Sequence, residues 1–416
     1  MVERIKRAAY NALRKSERYT KTDMLYLTKG GSWLTAGHIV TSILAFITSI
    51  AFANLIEKET FGAYRFVLSI AGIMGVFSLS GMSIAATQAI ARGFDNTLRA
   101  AFRETLVWSI PMFVISAGVG IYYYIRGDLV LALSLALIAF LNPLLLSAGL
   151  YNALLTGKKD FRSFFVYNSV RAAIPALAMV SILFMTDSVV WLVVTYFGTH
   201  TLVAMVLYLC AISRIPHSAT VDNSALMYGK HLSAANMLAA VANHADKILL
   251  FHFLGAAEVA IYTFATIIPD QVKGLFKNVR PLALSKFSNR TKDDVKSGLV
   301  RKSLLLLAVT SVVTMLYMVA APTLFTFAYP QYTEAIVLSQ VYAFSILFMS
   351  GAFVAVLIES HKLVRIKYKL SIISSIVRLI LSVALVIPYG IWGAVIAVLL
   401  AELVTILLGF FFAYRA

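Results

Sequence analysis

A single cysteine, Cys210, stands among the 416 residues. That excludes an intrachain disulfide and a thiolate-built metal cluster. Acidic residues are scarce, 19 against 36 Lys and Arg. Charged residues of both signs reach only 13%, whereas a soluble domain carries about a quarter. The chain contains no Walker motif, no HExxH and no DxD on a polar loop, so the usual residues of ATP hydrolysis and zinc hydrolysis are missing. Long polar loops are missing too. The turns on one side are "EKE" at 57–59, Gly127–Asp128, the neighbours of Asp187, "GAAE" at 255–258 and "YPQYTE" at 329–334. None leaves room for an extramembrane domain.

What the chain does have is hydrocarbon. Sixty per cent of its residues are hydrophobic and the mean hydropathy is +0.84. Apolar runs of about 20 residues recur, each long enough to cross a bilayer core of about 30 Å. They are too long and too uniform for barrel strands, which alternate over about 10 residues. The expected fold is therefore all-α and polytopic, with about twelve transmembrane helices. The spans fall near 32–54, 62–90, 104–125, 129–155, 163–185, 188–212, 229–253, 259–279, 301–326, 335–358, 369–387 and 390–414.

Counting those toward the inner ends of spans (Lys230, Lys273, Lys277, Arg301, Lys302 and Lys369) with the inner side, thirty of the 36 Lys and Arg lie on one side of this layout, two (Lys58 and Arg126) on the other, and four deeper within spans. The positive-inside rule then predicts a cell-membrane protein with both termini cytoplasmic. The basic patches face anionic lipid headgroups rather than nucleic acid. Residues 1–29 place Ile5, Ala9, Ala12 and Leu13 at helical spacing among eight Lys and Arg, which predicts a cytoplasmic amphipathic helix lying on the membrane. The segment lacks the apolar region of a cleavable signal peptide. A polar segment, 213–228, divides the spans into an N-terminal six-helix bundle (30–212) and a C-terminal one (229–416).

The halves resemble one another locally. "FANLIEKETFGAYRFVLSI" (52–70) and "LFHFLGAAEVAIYTFATII" (250–268) each end a span, make a tight acidic turn and start the next span with a motif containing Tyr64 or Tyr262. Such internal similarity marks transporters built from two related bundles around a shared site. Pro143, Pro175, Pro269 and Pro322 fall inside spans, where each removes a backbone hydrogen bond and bends its helix. Such bends serve either packing or motion.

Charges inside the membrane are costly, about 2.5–3.5 kcal/mol each on insertion scales, so they face a partner or a wet cavity. Arg65 and Lys247 occupy comparable depths in the two halves, and facing each other they would hold an anionic ligand. Snorkelling of each to the nearby interface is the plainer alternative. Ser233, Asn236, Asn243 and Lys247 share one helix face, a polar stripe that a lipid-facing helix would not carry. Asp246 is a counter-ion for Lys247 or, with Asp270, a candidate for coupling to a H+ or Na+ gradient. His244 reads as a packing residue. Arg171 could meet a ligand coming from the cytoplasm. Arg378 and Glu402, on neighbouring antiparallel spans, are expected to form a structural ion pair. No catalytic residue, metal site or cofactor is predicted.

"KGGSWLTAGHIVTSILAFITSIAFANLIEKETFGAYRFVLSIAGIMGVFSLSGMSIAATQAIARG" (29–93) resembles the start of a polysaccharide or oligosaccharide-lipid flippase. These are the Wzx-type members of the polysaccharide transporter family, within the multidrug/oligosaccharidyl-lipid/polysaccharide (MOP) superfamily. "ADKILLFHFLGAAEVAIYTFA" (245–265) is similar to the family's second-half hairpin. The resemblance implies two pseudo-symmetric six-helix bundles around a central cavity lined by spans one, two, seven and eight. It also implies alternating-access transfer of a polyprenyl-diphosphate-linked glycan to the outer leaflet, alongside glycosyltransferases and a polysaccharide polymerase. Twelve spans lack the additional pair of peptidoglycan-precursor flippases. Two other functions remain open: a cation-coupled multidrug exporter of the same superfamily, and a membrane glycan polymerase or ligase, for which the short outside turns leave little room.

Overall fold

The computed structural model describes residues 24–216, 220–277, 292–360 and 364–415. Most of the amphipathic helix expected at 1–29 lies outside them. The described residues are helical, with no β-strand among them. The N-terminal half runs α1 (Met24–Leu55), α2 (Lys58–Met74), α3 (Met82–Ala91), α4 (Thr97–Trp108), α5 (Ile110–Ile125), α6 (Leu129–Ala148), α7 (Tyr151–Gly157), α8 (Phe161–Leu183) and α9 (Val189–Ile212). The C-terminal half runs α10 (Asn223–Leu254), α11 (Ala256–Lys277), α12 (Lys292–Ala328), α13 (Ala335–Tyr342), α14 (Ala352–Ser360) and α15 (Val364–Arg415).

Nine helices among the described residues are long and apolar enough to cross a membrane. The last window, Arg365–Ala413, has 49 residues, about 73 Å at 1.5 Å per residue, which is two crossings. Its fold-back lies at Pro388–Gly390, where Gly390 takes φ 57° and ψ −132°, a conformation open to glycine. Helices α10 and α11 have 32 and 22 residues. They miss the apolar threshold because they carry the ionisable residues discussed below. Counting these gives the expected twelve.

Span two is not the single helix expected over 62–90. After α2 a 3-10 turn, Gly75–Ser78, leads to Leu79 in the left-handed region, φ 53° and ψ 60°, and α3 starts afresh. A break at membrane depth survives only where its backbone groups find partners. Here Gly81 N–H donates to Ser233 Oγ at 2.9 Å and Met82 N–H to Leu79 O at 2.8 Å. Helix α10 also starts before the expected span, which opens at 229. Asp222 caps α10, accepting from the backbone N–H of Ser224 and Ala225, so the helix begins six residues sooner. The Ser224 hydroxyl, the capped N–H groups and nearby Arg92 hold the Asp222 carboxyl below its usual range.

The bundles meet where α2 and α3 pack along α10 and α11. Close approach is allowed by glycine. A Cβ on Gly62 would sit 1.7 Å from the Ala256 carbonyl oxygen, and one on Gly72 would sit 2.3 Å from His244 Nε2. At the end of the molecule away from the basic segments, Asn54 Nδ2 donates to Ala328 O at 3.0 Å, and Ser49 and Tyr329 share a hydrogen bond of 2.8 Å. Lys58 pairs with Glu334 across the same gap. Phe61, Phe264, Tyr329 and Tyr332 fill it with rings 4.0–5.0 Å apart from Phe264. That end is sealed. Tyr64 and Tyr262, the matching residues of the two half-motifs, are both buried.

Candidate functional site

Below the seal lies a chamber of about 640 Å³, walled by α2, the 3-10 turn, α3, α6, α8, α9 and α10. Arg65 and Lys247 both line it. Each stands seven residues from its helix end, at Lys58 and Leu254, about 10 Å along the axis. The two cations thus face one space from opposite bundles at equal depth. Arg171, ten residues into α8, reaches the same wall, with Asn142, Asn236, Tyr196 and His244. Among the described residues no carboxylate lines this chamber.

Smaller cavities adjoin it. One of about 340 Å³ shares Arg65 and Lys247 and adds Asp270 and Gln271. Another of about 380 Å³ shares Arg65 and Tyr196 and is otherwise mainly apolar. It shares Ser49, Ile267 and Gln271 with a pocket of about 270 Å³ between α1 and α11, walled also by Ile43 and Phe46. Both Ile43 and Phe46 are exposed on the molecule's flank.

The polar stripe on α10 divides. Ser233 is buried against the break in span two and donates to Gly229 O. At roughly 100° per residue, Asn236, Lys247, Ala240 and His244 fall within an arc of about 80°, with Asn243 about 20° beyond its edge. The arc faces the chamber. Asn243, expected there, turns to α15 and accepts from Arg378 Nη1 at 2.9 Å. His244 packs against Gly72, as expected of a packing residue, and also lines the chamber wall.

Asp246 is not in the chamber. It is 2% exposed and takes the Tyr262 hydroxyl hydrogen at 2.6 Å. Arg378 Nη2 lies 3.7 Å from one carboxylate oxygen and Lys247 Nζ 4.0 Å from the other. The expected Arg378–Glu402 pair is therefore replaced. Arg378 takes Asp246 as its carboxylate, and Glu402 takes Lys273 at 3.4 Å. Lys273, not singled out from the sequence, also binds Asp270 at 2.8 Å and donates to the Tyr342 hydroxyl at 3.3 Å. Tyr342 in turn donates to Asp270 at 3.0 Å. The i,i+3 spacing of Asp270 and Lys273 was the available signal. Counting Asp246, Asp270 and Glu402 against Lys247, Lys273 and Arg378, the C-terminal network carries equal numbers of each sign. Arg65 and Arg171 carry the chamber's unbalanced charge. Neither has a carboxylate within 4.0 Å among the described residues. No group of three His, Cys, Asp or Glu among the described residues could hold a metal ion.

Residues 27–273 match the family model described as "Polysaccharide biosynthesis protein". The chain is a member of that family. Comparison with curated protein sequences finds no match. Among solved structures, a MATE transporter crystallised with MaD3S superposes with a TM-score of 0.67 at 13% identity, over 94% of this chain and 95% of that one. A MOP-superfamily transporter from Pyrococcus furiosus, described as having a binding pocket of reverse polarity, gives 0.66 at 13% identity, over 94% and 95%. The lipid II flippase MurJ in an inward closed conformation gives 0.61 at 16% identity, over 90% and 86%. The polysaccharide biosynthesis chain thus has the MOP transporter fold, that of a multi-pass membrane protein.

Proposed function

We propose that this protein is a flippase that carries a polyprenyl-diphosphate-linked oligosaccharide, a surface-polysaccharide repeat unit, from the cytoplasmic to the outer leaflet. One observation carries the reading: Arg65 and Lys247, from opposite bundles, line a single chamber with no carboxylate among the described residues of its wall. A sugar diphosphate cannot cross hydrocarbon with its hydration shell. Fixed cations in a wet chamber offset part of the desolvation cost. The adjoining apolar cavities lead to the α1–α11 flank at Ile43 and Phe46, a route by which the polyprenyl chain stays in lipid while the head occupies the chamber. Alternating access then moves the head. Family membership and the likeness to a lipid II flippase support this reading. The basic segments face the cytoplasm in it, and the glycosyltransferases and polymerase of the same pathway are its partners.

In this reading a H+ or Na+ gradient drives the cycle, and Asp270, half exposed in the side cavity, is the carboxylate that an ion reaches. Asp246 is a positioning group for Lys247 and Arg378. The multidrug-exporter alternative needs free carboxylates for a cationic drug. Among the described residues the main chamber offers such a drug Arg65, Arg171 and Lys247 and no carboxylate.

The test is leaflet-to-leaflet transfer of an undecaprenyl-diphosphate oligosaccharide in reconstituted vesicles. Arg65→Gln with Lys247→Gln should slow transfer about a hundredfold, two charge-assisted hydrogen bonds at about tenfold each. Unchanged transfer by the folded double variant sinks the proposal.

A further inference from the structure

Arg171 does not stand with the other two cations. It is twelve residues from the sealed-end terminus of α8 at Leu183, about 18 Å along the axis against about 10 Å for Arg65 and Lys247. That places it about 8 Å further toward the basic face. Its neighbours on the chamber wall are neutral. Asn142 Nδ2 is tied to the Ala71 carbonyl at 3.0 Å, which leaves its Oδ1 to accept a hydrogen bond from within the chamber. Asn236 lines the same wall, and no hydrogen bond engages it among the described residues. A guanidinium half-buried at mid-membrane without a carboxylate partner is expensive unless an anion meets it.

A diphosphate held between Arg65 and Lys247 does not reach Arg171, which is displaced by roughly the reach of a sugar ring and flanked by amides suited to sugar hydroxyls. We infer that Arg171, with Asn142 and Asn236, forms a second subsite that binds a carboxylate-bearing sugar close to the diphosphate, so that the transported glycan is acidic. This rests on the flippase reading and adds the class of glycan. The guanidinium fork suits a carboxylate better than an ammonium would, because it offers two parallel N–H groups.

The test measures binding of three probes to the full chain in lipid nanodiscs. They are undecaprenyl diphosphate, the same lipid bearing a neutral disaccharide, and that disaccharide with one hydroxymethyl group replaced by a carboxylate. The wild type should bind the acidic probe about tenfold tighter than the neutral one, the effect of one charge-assisted pair. Arg171→Gln should erase that preference, weakening the acidic probe about tenfold more than the neutral probe or undecaprenyl diphosphate. Arg65→Gln should weaken all three probes equally. Equal wild-type affinity for the acidic and neutral probes overturns the subsite, as does an Arg171→Gln loss that is the same for all three. Failure of all three to bind the wild type overturns the flippase reading itself, and the subsite with it.

Discussion

Asp246 stands behind Lys247 rather than beside it in the chamber, and this placement sets how much positive charge the chamber presents. With Tyr262 and Arg378 it joins α10 to α11 and α15. Replacing Asp246 by Ala leaves Arg378 buried without its carboxylate, a loss of about 3 kcal/mol that denaturation in detergent should register. Asp246→Asn keeps an acceptor for Tyr262 and should cost less. Depth was legible for the charged residues, because rise along a helix is linear in residue number. That is why Arg65 and Lys247 could be paired across the halves before any contact was known. Direction around the axis was less legible. Asn243 lies at the rim of its helix face, and the overlap of α15 decides which way it turns. The partners of Arg378 and Glu402 depend on which helices pack together, and nothing in the local sequence records that.

At the scale of elements, the seam between α2 and α11 depends on Gly62. Gly62→Ala drives a methyl group into the Ala256 carbonyl, and since backbone cannot yield as a side chain does, the cost should be about 1–3 kcal/mol. A lowered melting temperature checks it. The cap on α10 makes a pH-dependent prediction. The Asp222 carboxyl is held low by Ser224, the capped N–H groups and Arg92. It therefore adds stability above the ordinary Asp value of about 3.9 and loses it as pH falls through the depressed native value. Asp222→Asn should melt below the wild type at neutral pH, and the gap should close in acid. Spans and the proline positions in them were readable from hydropathy. The break after Ser78 was not, because "FSLSGMS" is apolar enough to continue a helix, and the partner that satisfies the broken backbone, Ser233 on the Gly81 N–H, lies far away in sequence.

For the whole molecule, alternating access requires the sealed end to open. Asn54, Ser49 and Lys58 must then part from Ala328, Tyr329 and Glu334. With Cys210 replaced by Ala, Asn54→Cys and Ala328→Cys joined by a short disulfide-forming cross-linker should stop transfer, and reduction should restore it. Transfer at the uncross-linked rate would show that this contact stays closed throughout the cycle. The twelve-span architecture was readable because bilayer thickness imposes one length on every crossing. The chamber's cationic wall was readable only in part, since Arg171 was placed by depth and Asn236 by its helix face, while Asn142 needed the packing of α6 against α2. The most direct measurement is a structure of the protein with an undecaprenyl-diphosphate oligosaccharide bound. The account predicts diphosphate oxygens within hydrogen-bond reach of both Arg65 and Lys247. A head group bound elsewhere, with the chamber between those residues filled only by water, would contradict it.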